Sequence, residues 1–341
     1  MTADAEFHPA AMPDAPAIEM PNVFPLEWPV ETPKLWDLYE RAKRDTWNPT
    51  DLDWAGWDTR DLTREQRLGV LYWYLIDASF ENSGVAAFAQ AAIRCYEDHT
   101  EDPTKRVFVT IARDELNHDE FCKRVCDHLY PGFPGSFTPE NDFERAMAKN
   151  IDWIAYNGSR YWSAFAGGFR KYPIEVLFCS FMTAELLGVV MYDTMAKKTR
   201  YPLFRRALQL FHRDETRHFA LTQYLLDTAG PRLTDETRAI VTKQIRAGFN
   251  LMSMLFLEPL TGFWQLPDGF LDVHRRLWDH AVSSGIGVLD AAERRAMCRA
   301  VMLRIKRLMD RQGIVFPAIP ELDISGRETV IDGDDFLIVA L

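Results

Sequence analysis

Apolar residues recur at three- and four-residue spacing from about Thr63 to Gln312, and this period predicts helix almost throughout. The first long helix opens at "LTREQR", where Thr63 is an N-cap with Gln66 three residues on, and it runs to about Asp98, ahead of "EDPTK". A second spans roughly Thr104–Leu129 and stops at the breaker cluster "YPGFPG". Others are expected over about Glu140–Phe165, Pro173–Lys198 and Tyr201–Thr228, with "AFAGGFRKYP" at Ala164–Pro173 as a flexible connection. Three more cover about Asp235–Leu257, Gly262–Ser283 and Ala291–Gln312, and a short helix at Lys34–Asp45 precedes "WNPTDLDW". No strand-rich block, Gly-rich phosphate loop or short tandem repeat is present. The pattern predicts an all-α protein with one helical domain over residues 34–313. Residues 1–33, rich in Pro and Ala, read as an extended arm, and residues 314–341 as a tail with too little periodicity to assign.

Composition narrows the class. Hydrophobic residues make up 47% of 341, enough for a sizeable core, and the net charge of −11 argues against a nucleic-acid surface. Five unpatterned cysteines read as reduced thiols in a cytoplasmic protein. No secretory leader is visible. The most apolar stretch, Val176–Met195, carries Glu185 and Asp193 and is short for a membrane span.

Candidate chemistry sits on these helices. The chain spells "RDELNH" at Arg113–His118 and "RDETRH" at Arg213–His218. Residues three apart on a helix lie about 60° from each other around the axis, so Glu115 with His118, and Glu215 with His218, can each aim at one spot. A lone E-x-x-H is usually a solvated face. Here Glu81 and Glu185 stand in otherwise apolar helical runs, where an unpartnered carboxylate is costly to bury. The chain order is Glu, E-x-x-H, Glu, E-x-x-H, with each single Glu about one long helix ahead of its pair. That is the inward-facing ligand set of di-iron and di-manganese carboxylate bundles. Four carboxylates balance two divalent ions, each ion gains one imidazole, and hard oxygen donors suit iron or manganese better than zinc.

On these six residues, on "WNPTDLDW" and on the Asp before each motif's Glu, the chain resembles the ribonucleotide-reductase small-subunit-like branch of the ferritin-like di-iron carboxylate superfamily. The resemblance covers roughly Trp47 to Leu226. It implies a ferritin-like four-helix bundle with additional helices and a dinuclear metal site in the bundle core. It also implies a hydrogen-bonded electron path Trp47–Asp214–His118, with Asp114 beside His218, and a homodimer. Where the small subunit keeps its radical-storing Tyr, four residues after the first motif's His, this chain has Cys122. Ile111, Val189 and Phe211 lie four residues from ligands on the same faces and, with the small Cys122, are expected to line a substrate pocket.

The absent Tyr and the scaffold size point to an oxygen-activating enzyme with two iron ions (Mn/Fe as a variant), dioxygen as co-substrate and a small-molecule substrate. Electrons would come from a separate ferredoxin or flavin reductase. The chain resembles biosynthetic N-oxygenases of the p-aminobenzoate type, which implies oxidation of an amine or hydroxylamine. Those enzymes carry a seventh ligand, a His four residues before the second motif's Glu. Here that residue is Phe211, and His212, one step off, is expected at the surface or behind the ligands. Two alternatives are a ligand-binding Mn/Fe or Fe/Fe oxidase of a fatty-acid-like substrate and a radical-supplying subunit, for which the acidic "DGDDFLIVAL" would be a partner-binding tail.

Overall fold

In the computed structural model, residues 32–329 and 331 are described; the predicted arm and "DGDDFLIVAL" lie almost wholly outside them. Helix α1 (Pro33–Arg44) leads through three short 3-10 turns into α2 (Arg64–Glu97). Then follow α3 (Asp102–Leu129), α4 (Asp142–Lys171), α5 (Ile174–Lys198), α6 (Pro202–Ala229), α7 (Asp235–Phe256), α8 (Phe270–Ser283) and α9 (Ala291–Arg311). Thr63 caps α2 with the reciprocal Gln66 bond that the sequence predicted. Among the described residues there is no strand, only isolated bridges Pro317–Arg327 and Ile319–Ile324.

Helix α2 pairs along α3, and α5 along α6, giving two helical hairpins that face each other as a four-helix bundle. The thirty-residue α4 is the long crossover between the hairpins, as the ferritin-like topology requires. Helix α1 lies on α3 and α6, α7 and α9 on α5, and α8 on α2 and α4. By length and composition α5 alone among the described helices is apolar enough to cross a membrane, yet 71% of its apolar window is buried inside the protein.

Two boundaries differ from the sequence reading. Helix α4 continues through "AFAGGFRK" instead of loosening there. Glycine costs a helix roughly 1 kcal/mol against alanine, and aromatic packing outweighs it: Phe165 meets Phe181 of α5 at 5.2 Å. Helix α8 begins at Phe270, not near Gly262, because Pro267 lacks a donor and Gly269 adopts a left-handed φ of 81°. The described part of the tail folds back on the body: Ile314, Phe316, Ile319, Leu322 and Ile324 are buried, and Glu321 pairs with Arg246 of α7 at 2.6 Å.

The apolar core falls into two clusters. One holds Trp57, Tyr74, Phe121, Phe204 and Phe211, and the other Phe88, Phe108, Ile111, Phe178 and Leu221. The part of the first cluster between α2 and α8 carries a titrating group. His274 lies 3.0 Å from the Tyr72 hydroxyl, and burial first, then Arg294 and Arg275, push its pKa down to about 3. An unfolded His takes its proton near 6.5. Between those values the unfolded chain holds the extra proton, so this contribution is complete above pH 6.5 and is lost as pH falls toward 3. His274→Gln is expected to flatten the decline of Tm between pH 7 and pH 4. Parallel curves for variant and wild type would show that acid sensitivity arises elsewhere.

Candidate metal centre

Each hairpin sends one glutamate and one Glu–His pair into the space between the two apolar clusters. Glu81 comes from α2, Glu115 and His118 from α3, Glu185 from α5, and Glu215 and His218 from α6; all six are buried. Ligand atoms of Glu81, Glu115, His118 and Glu215 lie within 4.8 Å of one another, and so do those of Glu115, Glu185, Glu215 and His218. Glu115 and Glu215 belong to both groups, while Glu81 and Glu185 belong to one each. His118 Nδ1 lies 3.1 Å from Glu81, 3.4 Å from Glu215 and 3.8 Å from Glu115. His218 Nδ1 mirrors it, 3.1 Å from Glu115, 3.3 Å from Glu185 and 3.7 Å from Glu215.

The far nitrogen of each imidazole meets an acid from the opposite motif. His118 Nε2 is 3.5 Å from Asp214 and His218 Nε2 is 3.5 Å from Asp114. Trp47 donates its indole N–H to the same Asp214 oxygen, Oδ2, at 2.7 Å. Arg217 spans the two acids, at 2.9 Å from Asp114 and 2.6 Å from Asp214. Arg113 and Arg213 tie each motif to the end of α1 through the carbonyls of Ala42 and Asp45, and each also reaches its neighbouring Asp. Burial alone would raise the Asp214 carboxyl, but His118, Arg217 and the Trp47 donor outweigh it and hold it well below the usual range.

Two metal ions fit this donor set. The Glu185 Oε2 and His218 Nδ1 atoms are buried without a hydrogen-bond partner among the described residues, which a cation would supply. Burial first, and then the Glu115 and Glu215 charges respectively, push the Glu81 and Glu185 carboxyls well above their ordinary range; a cation between them would reverse that. Burial would also raise Glu115, but the neighbouring His118 and His218 imidazoles dominate and hold it down. Glycines make room for the two shared carboxylates. A Cβ on Gly84 would stand 3.0 Å from Glu115 Oε2, and one on Gly188 3.0 Å from Glu215 Oε2. Each glycine lies three residues after the single glutamate of its hairpin, so "ENSG" and "ELLG" form a second, unnoticed repeat.

The cavity beside this cluster, about 670 Å³, is lined from α2, α4, α5 and α7. Glu81, Glu115, Glu185 and Glu215 are wall residues, whereas the two histidines stand behind them. The predicted pocket residues lie elsewhere. Ile111 is packed in the apolar cluster with Phe88 and Phe178. Phe211 stacks on His118 at 3.9 Å, and Val189 gives its carbonyl to His212 Nδ1 at 2.9 Å. Cys122 is buried with its thiol donating to Asp77 at 3.4 Å. A four-residue step from a ligand on α3 or α6 stays on the imidazole side of the bundle, while the open space is on the carboxylate side. That is why the expectation failed for Ile111 and Phe211; Val189, on α5, packs against the first apolar cluster.

Sequence reasoning also missed Asp77, one turn before Glu81. It is buried, and burial pushes its pKa up to about 7, against hydrogen bonds from Tyr192 and Cys122. The Tyr192 hydroxyl lies 2.7 Å from Glu81 Oε1 and 3.0 Å from Asp77 Oδ1. A second acid in the apolar run "YLIDASFE" was the available signal.

No family model matches the chain, and no curated protein does. Among solved structures it is similar to R2-like ligand-binding oxidases. One, a point mutant with an aerobically reconstituted Mn/Fe cofactor, is 18% identical, with a TM-score of 0.53 over 82% of this chain and 97% of that one. A second mutant with an Fe/Fe cofactor is 17% identical, with a TM-score of 0.53 over 82% and 93%. A third, after photoconversion, is 16% identical, with a TM-score of 0.52 over the same shares. At this identity the likeness shows a shared ferritin-like fold.

Proposed function

We propose that this protein is a dinuclear non-haem metal oxidase, Fe/Fe or Mn/Fe, that uses dioxygen to oxidise a small, largely apolar organic ligand. One observation carries the reading: the four carboxylates of the buried cluster form part of the wall of a mostly apolar cavity. Glu81, Glu115, His118 and Glu215 would hold one ion and Glu115, Glu185, Glu215 and His218 the other. When bound, the ions would supply the binding and reduction of dioxygen. Asp214 and Asp114 hold the imidazoles in place, as ligand histidines require. Trp47–Asp214–His118 is a continuous polar route from near the surface for electrons from a ferredoxin or flavin reductase. Phe80, Phe88, Phe181, Leu251, Met252 and Leu255 line the cavity, hold the ligand's body and exclude water.

The arrangement favours a fatty-acid-like ligand over an amine. Phe211 fills the seventh-ligand position of the N-oxygenases by stacking on His118, and His212 turns to the Val189 carbonyl. The solved structures of this fold are named ligand-binding oxidases with Mn/Fe or Fe/Fe cofactors. The test is anaerobic loading with Fe(II), alone or with Mn(II), followed by dioxygen and product analysis with straight-chain fatty acids and with arylamines or arylhydroxylamines. Two ions per chain and faster dioxygen consumption with the acids are expected. Faster consumption with the amines would restore N-oxidation, and no metal-dependent consumption would overturn the oxidase.

A further inference from the structure

One face of α7 lines the cavity: Gln244, Gly248, Leu251, Met252, Leu255 and Phe256, at the spacing of successive turns. It contributes nothing to the carboxylate–imidazole cluster. Gln244 is 4% exposed, and its Oε1 has no hydrogen-bond partner among the described residues. Most other buried or part-buried polar groups along the wall are occupied. The Tyr161 hydroxyl donates to the Phe263 carbonyl at 2.6 Å, and the Trp264 indole to the Asn250 carbonyl at 3.1 Å. Ser79, Ser83, Ser159 and Ser163 bond carbonyls of their own helices. Tyr192 is engaged by Glu81 and Asp77.

We propose that Gln244 is the specificity-determining residue of this cavity and that it receives a hydroxyl group on the ligand's apolar body. The inference rests on the cavity being the ligand site of the oxidase. A buried carboxamide left without a partner is costly, and a group that fills the cavity can supply one. A carboxamide offers both an acceptor oxygen and a donor nitrogen, so the ligand group must be able to answer either. A hydroxyl both donates and accepts, which meets that demand. A charged ammonium fits poorly, because this face of α7 offers no carboxylate and ion desolvation would go uncompensated. Gly248, one turn along, leaves the space beside the carboxamide without a side chain.

The test uses two isomeric probes, decan-1-ol and 1-methoxynonane, of which only the alcohol can donate. Binding is measured by calorimetry on the full chain, anaerobic and metal-loaded. Wild type is expected to bind the alcohol about tenfold more tightly than the ether. Gln244→Leu should bring the two affinities within about twofold by weakening the alcohol, with metal content unchanged. The ligand-free variant should melt at or above wild type, because an unpartnered polar group has been removed; a Gln that served only the fold would give a lower Tm. Equal binding of both probes by wild type, binding of neither, or equal weakening of both in the variant would overturn the assignment. Dioxygen uptake on the same preparation separates the two claims. Alcohol preference without uptake removes the oxidase and keeps Gln244, and uptake without preference does the reverse.

Discussion

Glu115→Ala protein is expected to retain well below one metal ion per chain after loading, while Glu185→Ala keeps about one. The contrast follows from membership in the two ligand groups. Glu115 stands in both, so its loss strips an oxygen donor from each ion and leaves the pair without one of its two shared carboxylates. Glu185 stands in only one, and the Glu81–His118 half remains intact around Glu115 and Glu215. Metal analysis after desalting reads the difference directly. Thermal melting gives a second readout, since an ion that binds only the folded state raises Tm in proportion to its occupancy. Added Fe(II) should therefore raise the Tm of wild type strongly, of Glu185→Ala partly, and of Glu115→Ala little. Full occupancy in Glu115→Ala would show that these six residues are a buried ion network and not a metal site.

The bundle and its carboxylate–imidazole cluster were legible because both rest on period. Helix spacing set the hairpins, and the doubled E-x-x-H with a lone Glu ahead of each is too costly to bury for any reason but pairing. What the sequence hid depends on how helices face one another. The step of four from a ligand placed Ile111, Val189 and Phe211 correctly on ligand-bearing helices, yet could not tell the imidazole side of the cluster from the carboxylate side. The cavity wall on α7 was invisible for the same reason: Gln244 lies far along the chain from every ligand, and only packing of α7 on α5 brings it in. Helix α4 was shortened by its glycines, because local propensity takes no account of the aromatic contact at Phe165. Gly84 and Gly188 could have been found, since an acid followed by glycine three residues later occurs at matching places in both hairpins.

Arg217→Leu is expected to destabilise the protein by about 3–5 kcal/mol, the usual cost of removing one partner from a buried charge set. In melting terms this is a fall on the order of 10 °C. Arg217 stands at one of the two positions, with Thr216, where the motifs "RDELNH" and "RDETRH" differ. At the matching position Asn117 merely bonds the Trp47 carbonyl at 3.0 Å. Arg217 is buried, and its guanidinium touches both Asp114 and Asp214, the acids that face His218 and His118. Without it, two carboxylates share a dry space with half their countercharge gone, and the hold on both imidazoles loosens together. Arg217→Lys should recover only part of the loss: both contacts run through one nitrogen, Nη2, whose charge an ammonium replaces, but the lysine side chain is one bond shorter. Replacing the acids as well, as in Asp114→Asn with Asp214→Asn, should restore much of the Tm of Arg217→Leu but not its metal affinity. The stability term comes from unpaired charge, whereas the affinity term comes from acids that orient ligand histidines. A triple variant that recovers neither would place the role of Arg217 in packing.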